Sequence, residues 1–299
     1  MMSNKISCIS IILLVSICVF PVFSFEISEV KVGANPWAVS VNPSTNKIYV
    51  TNSGNDTVFV IDGRTNMVIK NIMVGENPTG VAVNQVTNLI YVSKFSTPTV
   101  TVIDGNTNII TKTIPVGIQP NGIGINEITN QIYVTNMASA SVSVIDGKTN
   151  VVIKTIPVGS GTSGISINQE TNKVYVSNSK TDQFFVIDGI TNAILANVTV
   201  GANPDGISVD PKLDKIYVAN SGDGTISVID GKTNTVSDTI HAGTNVYGIS
   251  VNPLTDVIYA GNDNPGIIYV ISNSEKTQSQ SHDLFDDILQ FFSHLFNLK

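Results

Sequence analysis

Acidic residues are the main candidates for chemistry in this chain, and their spacing divides them into two groups. Members of the first group recur 42 residues apart, each before a glycine: Asp62, Asp104, Asp146, Asp188 and Asp230. Because the same Asp-Gly pair returns in five units, we interpret these carboxylates as caps that bond the backbone of a turn, with the glycine accepting a positive φ.

The second group of acids, each from a different stretch of the chain, supplies the candidate metal ligands. These residues are Asp56, Asp182, Asp205, Asp223 and Asp263. If several of them converge, the ion that fits is Ca²⁺, which takes about six to eight oxygen ligands. Solvated surface charge is the alternative interpretation, since acids are mostly exposed.

Other catalytic chemistry has few candidates in this sequence. His241 is the one histidine before residue 282, so no histidine cluster suited to zinc or iron is present in the repeats. No nucleophile elbow, phosphate-binding loop or dinucleotide fingerprint occurs in a strand–turn–helix context. We therefore predict no cofactor other than Ca²⁺.

The fold is indicated by a repeat of fixed length. Six tyrosines stand 42 residues apart, and so do the glycines that open each unit; the tyrosines are Tyr49, Tyr91, Tyr133, Tyr175, Tyr217 and Tyr259. Within one unit, four short runs rich in β-branched residues alternate with polar turns, and no helical periodicity appears. Four antiparallel strands in about 40–45 residues are typical of one propeller blade. The sequence predicts an all-β, six-bladed β-propeller over residues 25–272.

Closure of the ring is predicted from the two ends of the repeat. The sixth unit has three strand segments and then turns polar, whereas residues 25–32 align with the fourth strand of the other units. We expect residues 25–32 to complete blade six, which protects sheet edges that would otherwise favour aggregation.

A binding face is predicted from positions that vary inside this uniform repeat. Six of them follow the opening glycine of each unit: Trp37, Thr79, Asn121, Ser163, Asp205 and Tyr247. Two more, Phe95 and Lys180, lie between the second and third strand segments. Loops on a rigid frame usually carry function, so these residues form a candidate ligand- or partner-binding face; free drift of exposed loops is the alternative.

The repeat resembles a known family. The runs Ile48-Tyr49-Val50-Thr51-Asn52 and Ile132-Tyr133-Val134-Thr135-Asn136, together with recurrent Val-Ile-Asp-Gly, are similar to the YVTN-type β-propeller repeat of archaeal surface-layer-associated and bacterial exported proteins. Lys94, Ala260-Gly261 and Ser272-Asn273 depart from the pattern. The resemblance implies an extracellular or cell-surface protein. Related propellers include lactonases and a streptogramin lyase, so the fold alone does not exclude an enzyme.

The N-terminus and the overall charge predict export and argue against nucleic acid. Residues 1–24 read as a signal peptide, with Lys5 before an apolar run and a cleavage site after Ser24; an uncleaved anchor is the alternative. Both cysteines, Cys8 and Cys18, fall in this segment.

The charge of the chain argues against nucleic acid. Removal of residues 1–24 leaves 15 basic residues (16 minus Lys5) against 23 acidic ones, a formal charge of −8. A chain this acidic is poorly suited to binding nucleic acid. Asn55 and Asn197 stand in glycosylation sequons.

The C-terminal end is predicted to be a linker, residues 273–281, followed by an amphipathic helix, residues 282–299. The polar face of this helix is acidic, whereas helices that lie on membranes are usually rich in Lys and Arg there. We expect the helix to dock on the propeller or on a partner, with membrane contact as the less favoured alternative.

These observations lead to one functional prediction and one alternative. The prediction is a secreted or surface-displayed propeller that binds a protein, a glycan or a surface-layer component without catalysis. The alternative is a metal-dependent enzyme of the lactonase or lyase kind.

Overall fold

A computed structural model describes residues 29–262 and 266–272, which form a six-bladed β-propeller. The blades lie in the second of two compact units, Val32–Lys299; of the first unit, Met1–Lys31, only residues 29–31 are described. The described residues contain 23 strands and no helix. None of their elements is a helix that could cross a membrane.

Each blade is an antiparallel meander that begins at the innermost strand. The first strands are β1 (Pro36–Asn42), β5 (Pro78–Asn84), β9 (Pro120–Asn126), β13 (Thr162–Asn168), β17 (Pro204–Asp210) and β21 (Val246–Asn252). The second strands are β2 (Lys47–Asn52), β6 (Leu89–Lys94), β10 (Gln131–Asn136), β14 (Lys173–Asn178), β18 (Lys215–Asn220) and β22 (Val257–Asn262). The third strands are β3 (Thr57–Asp62), β7 (Thr99–Asp104), β11 (Ser141–Asp146), β15 (Gln183–Asp188), β19 (Thr225–Asp230) and β23 (Ile267–Ile271). The fourth strands are β4 (Met67–Met73), β8 (Ile109–Pro115), β12 (Val151–Pro157), β16 (Ile194–Thr199) and β20 (Thr235–His241).

The turn before each fourth strand has the predicted cap but not the predicted backbone conformation. Asp62 Oδ1 accepts the N–H groups of Arg64 and Thr65, both at 2.9 Å, and the other four turn aspartates do the same. The prediction of positive φ at the following glycine is wrong: Asn66 has φ 56°, and Gly63 is not among the positive-φ residues. The glycine is needed for space, since a Cβ on Gly63 would lie 2.4 Å from Asn46 Oδ1.

The hydrophobic core is divided into layers between successive blades. Five buried clusters are present, and each combines residues of one blade with residues of the next. In the first, Tyr49, Val58 and Val60 of blade one pack against Val81 and Val83 of blade two. The innermost strands are neighbours in the order β1, β5, β9, β13, β17 and β21. Strands that lie between two neighbouring blades are apolar on both faces, because a sheet covers each side of them.

Blade six is three-stranded within the described residues, in the order β21-β22-β23. Residues 29–33 form no strand, and residues 25–28 lie outside the described residues, as do the predicted signal peptide, linker and C-terminal helix. Completion of blade six by residues 25–32 therefore remains a prediction.

Candidate functional site

A β-bulge in the first strand of every blade places the varied residues. In blade two, Pro78 pairs with Lys94 and Val81 with Val92, so that Thr79 and Gly80 fall where the register shifts. The same shift occurs in the other five blades. Bulges commonly redirect a side chain out of the regular pleat, and they are frequent beside functional sites. The residues predicted to lead into the first strand are thus part of it.

Three of these residues form a hydrogen-bonded row across three successive blades. Asn121 Nδ2 donates to Ser163 Oγ at 3.3 Å, and Ser163 Oγ donates to Asp205 Oδ1 at 2.5 Å. All three side chains are half-buried and stand on β9, β13 and β17. We call Asn121, Ser163 and Asp205 the polar row; it is the candidate functional site.

The carboxyl group of Asp205 is the electrostatically unusual group of this row. Removal from water raises the pKa of Asp205 above its ordinary value, and the hydrogen bond from Ser163 offsets only part of that effect. Carboxyl groups with perturbed pKa values are enriched at functional sites. This carboxyl group can accept a hydrogen bond when ionised and donate one when protonated.

Hydroxyl groups of the second strands hold the backbone of the row in position. Ser93 Oγ donates to the carbonyl of Asn121 at 2.6 Å, and Ser177 Oγ donates to that of Asp205 at 2.6 Å. Thr135 Oγ1 donates to the carbonyl of Ser163 at 2.9 Å. Sequence reasoning missed these positioning residues, although the Thr or Ser before the last residue of the second strand was visible in each of those units.

Within the described part of the chain, the other three members of the varied set make no side-chain hydrogen bond to the row. Thr79 is buried, and its hydroxyl contacts Ser93 Oγ at 3.1 Å and the carbonyl of Pro120 at 3.2 Å. Trp37 and Tyr247 are exposed, on β1 and β21. The set therefore contains one polar row, one buried threonine and two exposed aromatic side chains.

Three of the metal-candidate acids serve as caps for backbone N–H groups. Asp56 Oδ1 accepts from Asn77 N at 2.9 Å, and Asp182 Oδ1 accepts from Asn203 N at 2.8 Å. Asp223 Oδ2 accepts from Ala202 N at 2.7 Å.

The structure does not bring these acids together. Within residues 29–262 and 266–272, no group of three or more His, Cys, Asp or Glu side chains is placed to hold a metal. Asp205 belongs to the polar row, and Asp263 lies outside the described residues.

The two remaining predicted binding residues lie in turns after second strands. Phe95 is half-buried and Lys180 is exposed. Beside Phe95, the half-buried Lys94 takes the place that asparagine has in the other blades, and desolvation lowers its pKa.

Comparison with known proteins supports the fold alone. No family model matches the chain, and no curated protein matches it. Among solved structures, hydrazine synthase from Kuenenia stuttgartiensis is similar with a TM-score of 0.51 and 15% identity, over 84% of this chain and 99% of that one. At this identity the likeness carries no information on substrate or partner.

Proposed function

We propose that this protein is a non-enzymatic binding module that recognises a glycan at the polar row. The row offers an amide, a hydroxyl and a carboxyl group on three rigid neighbouring strands. Sugar hydroxyl groups both donate and accept hydrogen bonds, and each of these three side chains can match them. Tyr247, on the first strand of the blade that follows Asp205, adds an exposed aromatic ring with a polar end.

One observation carries the proposal: the hydrogen-bonded row found among the varied positions of the described residues includes a carboxyl group held partly out of water. Burial of a carboxyl group costs stability unless it is compensated. The equivalent positions of the other five units carry neutral residues, so the fold does not require a carboxyl group at position 205. Its presence is better explained by ligand recognition than by folding.

The test is a binding screen against a panel of neutral and acidic oligosaccharides, followed by titration calorimetry of each hit. Ser163→Ala and Asp205→Ala should each weaken binding by about five- to 160-fold, since loss of a hydrogen-bond partner away from water costs about 1–3 kcal/mol. Asp238→Ala, which removes an exposed carboxylate from the outer strand β20, is the matched control and should bind as the parent does. Equal affinity of all four proteins would exclude the row as the glycan site.

Export to the cell exterior is part of the same proposal. It is supported by the N-terminal apolar run ending near Phe23 and by the resemblance to YVTN-type repeats of surface proteins. Mass spectrometry of the protein recovered from its native host should show a mature N-terminus at Phe25. An intact Met1 on a cell-associated protein would contradict it.

The alternative function is a metal-dependent lactonase- or lyase-like enzyme, and the Asp205–Ser163 pair is the observation that favours it. A carboxyl group with a raised pKa is suited to proton transfer. Titration with Ca²⁺ followed by calorimetry distinguishes the two functions: Ca²⁺ binding that Asp205→Asn abolishes, together with turnover of lactones, would favour the enzyme.

A further inference from the structure

The interface between blades five and six carries two carboxylates where the other interfaces have an amide donor. In four interfaces, the asparagine that ends the first strand donates from Nδ2 to Oδ1 of the residue 46 positions later. These pairs are Asn42 with Asn88, Asn84 with Asn130, Asn126 with Asn172 and Asn168 with Asp214. At the fifth interface the same offset sets Asp210 against Asp256, and Asp256 has the positive φ of its equivalents, 56°. An ionised carboxylate donates no hydrogen bond, so Asp210 needs a donor from another residue.

Asp210 is fully buried, and only one of its two carboxylate oxygens has a partner among the described residues. Its Oδ1 accepts the N–H group of Leu213 at 3.1 Å, whereas no hydrogen bond from a described residue reaches Oδ2. After desolvation, the charges of Asp210 and Asp256 both help to raise the pKa of Tyr217 to about 12, so the two carboxylates lie near the same phenol group. A buried carboxylate is costly unless a donor or a cation compensates it. A cationic donor therefore fits this place.

A cavity of about 540 Å³ lies between the two blades, with Asp256 and Tyr217 in its wall. Ser272, which is the last described residue, also lines it. A third acid, Asp238, lines the cavity at the position that a lysine occupies in blades two and three. Those lysines, Lys112 and Lys154, each donate to a turn carbonyl of the next blade, at 2.9 and 3.1 Å. The replacement of a lysine by Asp238 makes this cavity more acidic than the equivalent places in those blades.

Lys215 also lines the cavity, but the repeat assigns its ammonium group to a different acceptor. Its equivalents Lys47 and Lys173 each donate to the glycine carbonyl 58 residues later, on the next blade. The same offset from Lys215 leads to the backbone of residue 273 and not to Asp210. Lys215 is exposed, whereas Asp210 is fully buried. The cation that compensates Asp210 must come from elsewhere in the chain.

The repeat identifies this cation. The hydroxyl groups of Tyr91 and Tyr133 donate to Asn150 and Asn192, each 59 residues later, at 2.8 and 2.7 Å. The same offset from Tyr217 reaches Lys276. Lys276 stands four residues after Ser272, a distance that an extended chain covers in up to about 14 Å. We propose that the C-terminal tail of the same chain enters the cavity and places the Lys276 ammonium group between the carboxylates of Asp210 and Asp256.

The amino-acid replacements in this interface agree with one another. An ammonium group has three donors and no acceptor, which suits two carboxylates and a tyrosine hydroxyl group. The positions equivalent to Lys276 in the other units are all asparagine: Asn66, Asn108, Asn150, Asn192 and Asn234. The lysine thus occurs in the one interface where both members of the amide pair are aspartates. The ion pair makes residues 273–276 part of the propeller and shortens the linker predicted from the sequence.

A metal ion is a poorer occupant than Lys276. Ca²⁺ takes about six to eight oxygen ligands. Among the residues that the structure describes, no group of three or more His, Cys, Asp or Glu side chains is placed to hold a metal, and this interface is included in that finding. Two carboxylates and a phenol group are matched by one ammonium group without further ligands.

Limited proteolysis of the full-length protein tests the ion pair, because Lys276 is the one trypsin site in the tail before Lys299. We expect trypsin to release the fragment 277–299 slowly from the parent protein and rapidly from the double variant Asp210→Asn/Asp256→Asn. The double variant recreates the amide pair of Asn42 and Asn88, so it should fold. Mass spectrometry of the released fragment measures the rate.

The control for proteolysis is Gln280→Lys, which adds a trypsin site to the same tail outside the ion pair. Cleavage after residue 280 should be rapid in the parent background. Three results would overturn the proposal: rapid cleavage after Lys276 in the parent, a rate that the double variant leaves unchanged, or equal protection of residues 276 and 280.

Thermal unfolding gives an independent test. Lys276→Met should lower the melting temperature by several degrees, because it leaves Asp210 buried without compensation. The loss should largely disappear when the same substitution is made in the Asp210→Asn/Asp256→Asn background. Lys148→Met, in an exposed turn of blade three, is the control and should change little in either background. Equal losses for Lys276→Met in the two backgrounds would show that Lys276 does not act through the carboxylates.

Two further measurements distinguish other occupants of the cavity. Protection of Lys276 should not depend on protein concentration; protection that disappears on dilution would assign the cavity to the tail of a second copy. Added Ca²⁺ should not change the melting temperature of the parent protein relative to that of the double variant. A Ca²⁺-dependent increase that only the parent protein shows would assign the carboxylates to a metal, and either of these outcomes overturns the proposal.

Discussion

At the scale of single residues, identical positions in the repeat can have different energetic roles. Tyr133 donates a hydrogen bond to Asn192 Oδ1 at 2.7 Å across the blade interface. Tyr49 occupies the same place in blade one, but its hydroxyl group is buried and has no hydrogen-bond partner among the residues that the structure describes. Burial of the aromatic ring stabilises the fold at both positions, whereas only the hydroxyl group of Tyr133 adds a hydrogen bond.

We therefore predict that Tyr133→Phe and Tyr49→Phe differ in stability. Tyr133→Phe should lower the free energy of unfolding by about 1–2 kcal/mol, since it leaves Asn192 without this partner. Tyr49→Phe should be neutral or slightly stabilising, because it removes an unsatisfied hydroxyl group. Urea denaturation of the two variants measures the difference, and equal losses would show that the two hydroxyl groups are bonded alike.

Asp205 gives a prediction for the pH dependence of stability. Its pKa is raised above 3.8 in the folded state, so the folded protein binds this proton more tightly than the unfolded chain does. Ionisation therefore costs stability, and the loss develops as the pH rises from 3.8 through the raised pKa. Asp205→Asn keeps the acceptor for Ser163 and does not ionise.

The variant Asp205→Asn should be more stable than the parent protein at neutral pH, by about 1 kcal/mol. The advantage should shrink as the pH falls toward 3.8. Thermal unfolding followed at several pH values measures it. An advantage that does not change with pH would mean that the Asp205 carboxyl group titrates normally.

At the scale of elements, an asparagine at the end of the second strand anchors blades one and four to their own opening segments. Asn178 Nδ2 donates to the carbonyl of Val158 at 2.7 Å, and Asn52 makes the same bond to Val32, in each case 20 residues earlier. In blade two the residue is Lys94, whose pKa is lowered by desolvation. The corresponding acceptor is the carbonyl of Val74.

Lys94→Asn should restore this anchor and remove a partly desolvated ammonium group. We expect an increase of about 1 kcal/mol in the free energy of unfolding, the usual size of one added hydrogen bond. Hydrogen exchange at Gly75 and its neighbours should slow in parallel. Lys180→Asn, at an exposed turn, is the control and should leave both measurements unchanged. A destabilised Lys94→Asn variant would instead point to a role for the lysine that the asparagine cannot fill.

Sequence reasoning located most elements of this fold within a residue or two, because strand formers and turn residues alternate so regularly. In blade two the four runs of strand formers visible in the sequence, residues 80–83, 89–93, 99–103 and 109–116, correspond to the strands Pro78–Asn84, Leu89–Lys94, Thr99–Asp104 and Ile109–Pro115. It did not anticipate the bulge in each first strand. A bulge is defined by pairing with the neighbouring strand, and its one signal in the sequence was the glycine that recurs inside five of the six first strands, from Gly80 to Gly248.

At the scale of the whole molecule, the buried tyrosines make stability sensitive to alkali. Burial in the inter-blade cores raises the pKa of Tyr49, Tyr91 and Tyr217 from 10.0 to about 12, and it raises the pKa values of Tyr133 and Tyr175 as well. The unfolded chain releases these protons first, so the stability that the tyrosines contribute is present below pH 10.0 and lost as the pH rises above it.

We predict a steep alkaline unfolding transition in which tyrosine ionisation and loss of β-structure coincide. Absorbance of tyrosinate and far-ultraviolet circular dichroism, recorded on the same samples between about pH 9 and pH 13, should change together. Tyr133→Phe should make the transition less steep. Ionisation of all tyrosines near the ordinary value of 10.0, with circular dichroism unchanged, would contradict the burial of the five rings.

The sequence by itself determined the number of blades, the four-strand plan of a unit and the aspartate caps of the turns. All three follow from local chemistry repeated at a fixed spacing of 42 residues. Only the tertiary structure decided which varied positions act together. Asn121, Ser163 and Asp205 are 42 residues apart in the chain, and they meet because neighbouring first strands present the same position side by side. Asp56, Asp182 and Asp223 do not act together, because each carboxylate is held by a different backbone N–H group. The sequence does not identify these N–H partners.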